Sequence, residues 1–109
     1  MHSEAALDRT FHALSNRTRR SVVHALAGGE AHSAGELGRH FRAAQPTISK
    51  HLKVLEDAKL IERTVEGRVH RFRLRQKPLQ DAGAWVARHQ AFWTGAVDQL
   101  ETLLEKGSP

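Results

Sequence analysis

Apolar residues recur at three- and four-residue steps through the first half of the chain, alternate for a short stretch near its middle, and return to helical spacing until the end. Between Glu4 and Leu14, the residues Ala6, Leu7, Thr10, Phe11 and Leu14 share one side of a helix, with Ser3 placed to cap it. Ser15-Asn16 interrupts this pattern. A second helix is predicted from Thr18 to Ala27, with Val22, Val23 and Leu26 on one side, and Gly28-Gly29 ends it because glycine takes positive φ without strain. Ser33-Ala34-Gly35-Glu36 is a capping box, which predicts a short third helix through Leu37 to about Phe41. After a connector from Arg42 to Gln45, a fourth helix begins at Pro46, where a missing N–H costs nothing, and carries Ile48, Leu52 and Leu55 at i, i+4 and i+7.

Two helices joined by so short a link make a helix-turn-helix, expected over about 33–58. The alternating segments follow, Leu60 to Val65 and Val69 to Leu74, separated by Glu66-Gly67-Arg68, and predict a β-hairpin within about 60–75. On its second strand His70, Phe72 and Leu74 are expected on the inner face, and Val69, Arg71 and Arg73 on the other. A helix-turn-helix followed at once by a basic hairpin is a winged helix, so the expected fold is mostly α with one small hairpin. Beyond Lys77-Pro78, one long helix is predicted over about 79–106, with Trp85, His89, Phe92, Trp93, Ala96, Leu100, Leu103 and Leu104 on one stripe. A single domain of residues 1–109 has too little of itself to cover that stripe. It therefore predicts a homodimer built on Trp85, His89, Phe92, Trp93, Leu100 and Leu103, with Leu7, Phe11 and Leu14 of the first helix packed beside them.

Charge sharpens the picture. The chain is +5 overall, and the stretch from Arg39 to Arg75 holds ten Lys/Arg against four Asp/Glu, so the positive charge is concentrated on the helix-turn-helix and hairpin. Such a footprint suits double-stranded DNA, whose phosphates supply the sequence-independent part of affinity. The fourth helix points its N-terminus, with unpaired N–H groups and a partial positive charge, at that partner. Cysteine is absent, which excludes disulfides and thiolate metal sites. None of the eight histidines stands in a spacing that places a metal-binding pair on one helix face, so no metal or other cofactor is expected. A site shared across a dimer by His89 with Asp98 or Glu101 stays open as an alternative, as does a winged helix that binds protein or RNA. No phosphate loop or nucleophile triad supports an enzyme. There is no apolar h-region or membrane-length apolar run, and a cytoplasmic protein is expected.

The segments Ala13-Leu14-Ser15-Asn16-Arg17-Thr18-Arg19, Gly35-Glu36-Leu37, QPTISKHLKVL from Gln45 to Leu55, Leu60-Ile61 and Glu66-Gly67-Arg68 resemble, in order and spacing, the ArsR/SmtB-type bacterial winged-helix repressors, over about residues 7 to 75. The resemblance implies a homodimeric, usually autoregulatory repressor that binds an imperfect palindrome, with its small-molecule or metal effector undefined. It places Gln45, Thr47, Ser49, Lys50 and His51 at the major groove, Arg68 and Arg71 on the wing, Arg42 and Arg39 near phosphate, and makes Arg19 an internal brace. Gln pairs with adenine, Thr and Ser address either base type, and Lys50 or His51 reaches guanine or phosphate. Ser49 has its own helix backbone as a competing partner. Two departures stand out. The family's glycine after the recognition helix is Lys59, which must accept a left-handed or altered turn. The family's cysteine site is missing, and Asp81 lacks the following histidine of the alternative site on the last helix.

Overall fold

The computed structural model describes residues 3–107, which leaves Met1, His2 and the last two residues outside it. Five helices and three short strands follow one another: α1 Glu4–Leu14, α2 Arg17–Ala25, β1 His32–Ser33, α3 Ala34–Phe41, α4 Gln45–Asp57, β2 Ile61–Glu66, β3 Val69–Leu74 and α5 Gln76–Gly107. Three of the helices start on side-chain caps. Ser3 Oγ accepts from the Ala6 N–H, Asn16 Oδ1 from the Arg19 N–H and Ser33 Oγ from the Glu36 N–H, each at 3.0–3.1 Å. α5 begins three residues earlier than the apolar pattern predicts, with Pro78 inside the first turn, where no N–H is needed.

The core lies where α2, α3 and α4 meet the root of the hairpin. Val22, Leu26, Leu37, Ile48, Leu52, Leu55, Leu60, Ile61 and Phe72 are all buried there, joined by Ala13 and Ala58. β2 and β3 pair antiparallel from Ile61↔Leu74 to Glu66↔Val69, so the connecting turn shrinks to Gly67-Arg68, with Gly67 at φ 63°. β1 adds a third strand, in the order β1-β3-β2, through His32↔Phe72 and Ser33↔Arg71. Phe72 faces the core as expected. His70 does not, because the hairpin has run past the core by that rung and both of its faces meet solvent.

Two non-glycine residues take left-handed backbone, and they bracket α4. Arg42 (φ 53°) ends α3, with its N–H on Arg39 O and the Ala43 N–H on Gly38 O. Lys59 (φ 63°) ends α4, with its N–H on Glu56 O and the Leu60 N–H on Leu55 O, both at 3.0 Å. Each is the double backbone bond of a Schellman cap, a place that favours glycine. The first is tight: a Cβ on Gly38 would stand 3.1 Å from Ala43 O.

α5 projects from this body. The molecule measures 72 × 32 × 22 Å with a radius of gyration of 19.1 Å, well above the roughly 13 Å of a compact chain of this length. Only the first turns of α5 are covered. Ala82 is buried, and Trp85 is half-buried with its ring edge-on to Phe11 at 5.7 Å. Beyond them Phe92, Trp93, Val97, Leu100, Leu103 and Leu104 are exposed, Phe92 at 66% and Trp93 at 63%. Among the described residues no helix is long and apolar enough to cross a membrane.

Candidate nucleic-acid interface

Burying Ile48, Leu52 and Leu55 turns the rest of α4 outward, and Gln45, Pro46, Thr47, Ser49, Lys50 and Lys53 are all exposed. The cap residue is Ala44, one position earlier than expected, and it has no side chain to bond the first turn. Pro46 has no N–H, and the Thr47 and Ile48 N–H groups both return to Ala44 O at 3.0–3.1 Å. This corrects the expectation of a row of unpaired donors. The helix end contributes its dipole, and the polar side chains supply the hydrogen bonds.

Gln45 and Ser49 line a groove of about 460 Å³ together with Ser33 and Gly35 at the start of α3 and Arg63, Arg68 and His70 on the wing. Of the expected α4 and wing residues, Gln45, Ser49 and Arg68 thus come together around one space. Thr47 and Lys50 extend the same helix away from that groove. Arg68 is exposed at the hairpin tip, and Arg42 and Arg39 are exposed where α3 turns toward α4.

Two residues expected on DNA are engaged elsewhere. His51 is half-buried, with Nδ1 3.4 Å from an Arg19 guanidinium nitrogen. Burial first, and then the Arg19 charge, hold its pKa below the ordinary imidazole value. It faces α1 and α2. Arg19 itself donates to Ala13 O at 2.7 Å and His12 O at 3.2 Å, so it braces the end of α1 against α4. Arg71, half-buried, donates to Glu36 Oε1 at 2.9 Å and lies 3.6 Å from Glu66 Oε2. The Glu36 carboxylate also meets His32 Nδ1 at 3.1 Å, and these two partners, His32 before Arg71, keep its pKa below the usual carboxylate value.

One pair escaped the sequence reading altogether. Arg63 on β2 donates to both carboxylate oxygens of Glu56 on α4, at 3.1 and 2.9 Å, with its guanidinium 5.0 Å from the Phe72 ring centre. No spacing signals it, because a helix exit and a turn separate the two residues.

The residues expected at a subunit interface divide into two groups. Leu7 is 5% exposed, and Leu14 and Trp85 are half-buried, Leu14 against the core and Trp85 against Phe11, so their own chain already uses much of their surface. Phe11, His89, Phe92, Trp93, Leu100 and Leu103 are exposed. His89 stacks on Trp85 at 4.0 Å, its Nδ1 2.8 Å from Trp85 O, and the Phe92 and Trp93 rings meet edge-on at 5.5 Å. Among the described residues no group of three His, Cys, Asp or Glu is placed to hold a metal ion.

Comparison with known proteins bears on this geometry. A helix-turn-helix domain family matches residues 14–64. The transcriptional repressor SdpR of Bacillus subtilis (strain 168) is 34% identical over 80 residues, covering 73% of this chain and 88% of SdpR. A crystal structure of an ArsR family transcriptional regulator superposes with a TM-score of 0.76 at 32% identity, over 85% of this chain and 95% of that one. An ArsR-like transcriptional regulator from Rhodococcus sp. RHA1 gives 0.79 at 28% identity, over 95% and 94%. The family match takes in all of α4 and the start of β2. The chain belongs to the ArsR family of winged helix-turn-helix proteins and is a DNA-binding transcriptional repressor, not an enzyme.

Proposed function

We propose that the repressor acts in the cytoplasm as a homodimer on an imperfect palindrome near its own promoter. The observation that carries the dimer is the uncovered stripe of α5, where two aromatic rings and four aliphatic side chains stand in solvent on one face. A second copy offers the same stripe, and an isologous contact buries both. Phe11 and Trp85 continue the stripe onto the body, while Leu7 and Leu14 contribute little further area. The single domain then has three working parts, the helix-turn-helix of about 33–58, the wing of about 60–75 and the dimerisation helix of about 79–106. Two recognition helices so joined would enter successive major grooves about 34–36 Å apart.

Within each half-site Gln45, Thr47, Ser49 and Lys50 address base edges, and Arg68 addresses the flanking backbone, with Arg42 as a further phosphate contact. His51 and Arg71 drop out of the contacting set because Arg19 and Glu36 hold them. The test is binding to duplex DNA from just upstream of the chain's own reading frame, with and without added divalent metals. Thr47→Ala should narrow the preference for that duplex over random sequence by about 1–3 kcal/mol, the worth of a good base contact. Arg68→Ala should weaken all sequences alike and lower the salt slope by about one. Equal loss of specificity from both variants would refute this division of labour. Metal-linked loss of binding would overturn the view that no metal takes part.

A further inference from the structure

The wing carries two arginines that never reach its tip, and each is held by a carboxylate from a different helix of the helix-turn-helix. Arg63 on β2 is gripped at both donors by Glu56 of the recognition helix. Arg71 on β3 is gripped by Glu36 of α3, whose other oxygen is held by His32. In register, Arg63 stands opposite Phe72 and Arg71 opposite Thr64, so the two grips occupy neighbouring rungs. Phe72 is also the last buried residue before the tip, and every residue from Glu62 to His70 is exposed. The grips therefore sit where the core ends and the free arm begins.

We propose that Glu36 and Glu56 are positioning residues for DNA binding: they set the angle of the wing against the recognition helix so that Arg68 meets the phosphate backbone, although neither carboxylate touches DNA. This rests on the reading of Arg68 as a backbone contact. From Arg63 to Arg68 the arm spans about 16 Å at roughly 3.3 Å per residue. A tilt of about ten degrees at its root moves the tip by about 3 Å, the length of a hydrogen bond. Without the grips the restraints left on that tilt are backbone pairing to β1, the buried Phe72 side chain and the Arg73 guanidinium on Gly29 O at 3.2 Å, all at the root of the hairpin. The two carboxylates also place negative charge on the face that meets a polyanion, which disfavours binding in itself. Simple electrostatics and the positioning role thus predict opposite signs for their removal.

The experiment is a double-mutant cycle on the full chain, read by binding to a random-sequence duplex of about 30 base pairs at low salt, where phosphate contacts dominate. Arg68→Ala is expected to weaken the otherwise unaltered protein about three- to tenfold. In the Glu36→Gln, Glu56→Gln background the same change is expected to cost less than about twofold, because the tip is no longer held in place. That background alone should bind more weakly, with amide exchange faster at Val65 and Val69 and unchanged at Leu52 and Leu55. A merely structural role would speed exchange in the core and leave the Arg68 penalty intact. The proposal is overturned by an unchanged penalty, by no penalty in the original protein, by exchange that accelerates throughout, or by tighter binding of the glutamine variant. Failure of the palindrome reading looks different: the protein would show no preference for its upstream duplex, while this comparison would stand.

Discussion

Lys59 gives the cleanest stability prediction. It sits at φ 63° immediately after α4, with its side chain exposed, and its backbone N–H and that of Leu60 close the helix onto Glu56 O and Leu55 O. An L-residue in this conformation costs roughly 1–2 kcal/mol from the approach of Cβ to its own carbonyl. Lys59→Gly removes that cost without disturbing either backbone bond or any buried contact. Glycine returns about 0.4–1 kcal/mol through its greater freedom in the unfolded chain. The net gain is about 0.5–1 kcal/mol, which for a domain of this size raises Tm by about 3–6 °C. Lys59→Ala is the control. It loses the same charge and stem but keeps Cβ, so it should stay within about 0.5 kcal/mol of the parent. Urea unfolding at one fixed protomer concentration reads the difference, since association would otherwise shift the midpoint. A glycine variant no more stable than the alanine variant would refute the claim that the helix exit is strained.

Two further outcomes test the other parts. Trp93→Glu places a charge in the middle of the exposed α5 stripe and should yield monomers in sedimentation or light scattering; a dimer that persists would move the interface elsewhere. His51, whose folded pKa is depressed, should make the protein less stable as pH falls below about 6.5, because the unfolded chain then takes up a proton that the native imidazole declines. The loss stops growing once the native imidazole also protonates. His51→Gln should therefore lose less stability than the parent between about pH 7 and 5, and parallel profiles would show that burial and the Arg19 charge do not depress this imidazole.

Regular periodicity made the architecture legible. The three-and-four spacing of Leu7, Thr10 and Leu14, of Val22 and Leu26, and of Ile48, Leu52 and Leu55 marks the faces that the structure buries or half-buries. Ser3 and Ser33 mark helix starts by their own chemistry. Lys59 in place of a glycine was visible as a strained exit, and its φ is left-handed. Other features carry no such mark. β1 is two residues long, too short to show alternation, and Arg42 takes positive φ with no glycine to announce it. Arg71 and His51 read as DNA contacts because a basic side chain on a recognition element has the same spacing whether or not it also meets a neighbour. Their partners, Glu36 and Arg19, lie 35 and 32 residues away. Pairings at that range depend on how the elements dock, which a local pattern does not encode.

The length of α5 has a consequence for how the protein becomes fully helical. Past Trp85 the helix runs for some twenty residues with no layer of its own chain against it, and Thr94, Gly95 and Val97 are poor helix formers within that run. A segment of this length is marginal in water when left alone, since propagation gains little per residue over the cost of nucleation. The body of the domain supplies the nucleus at Ala82 and Trp85, from which α5 continues to Gly107 with its far half exposed. A surface that docks on Phe92 and Trp93 therefore lends that half the packing its own chain does not give it.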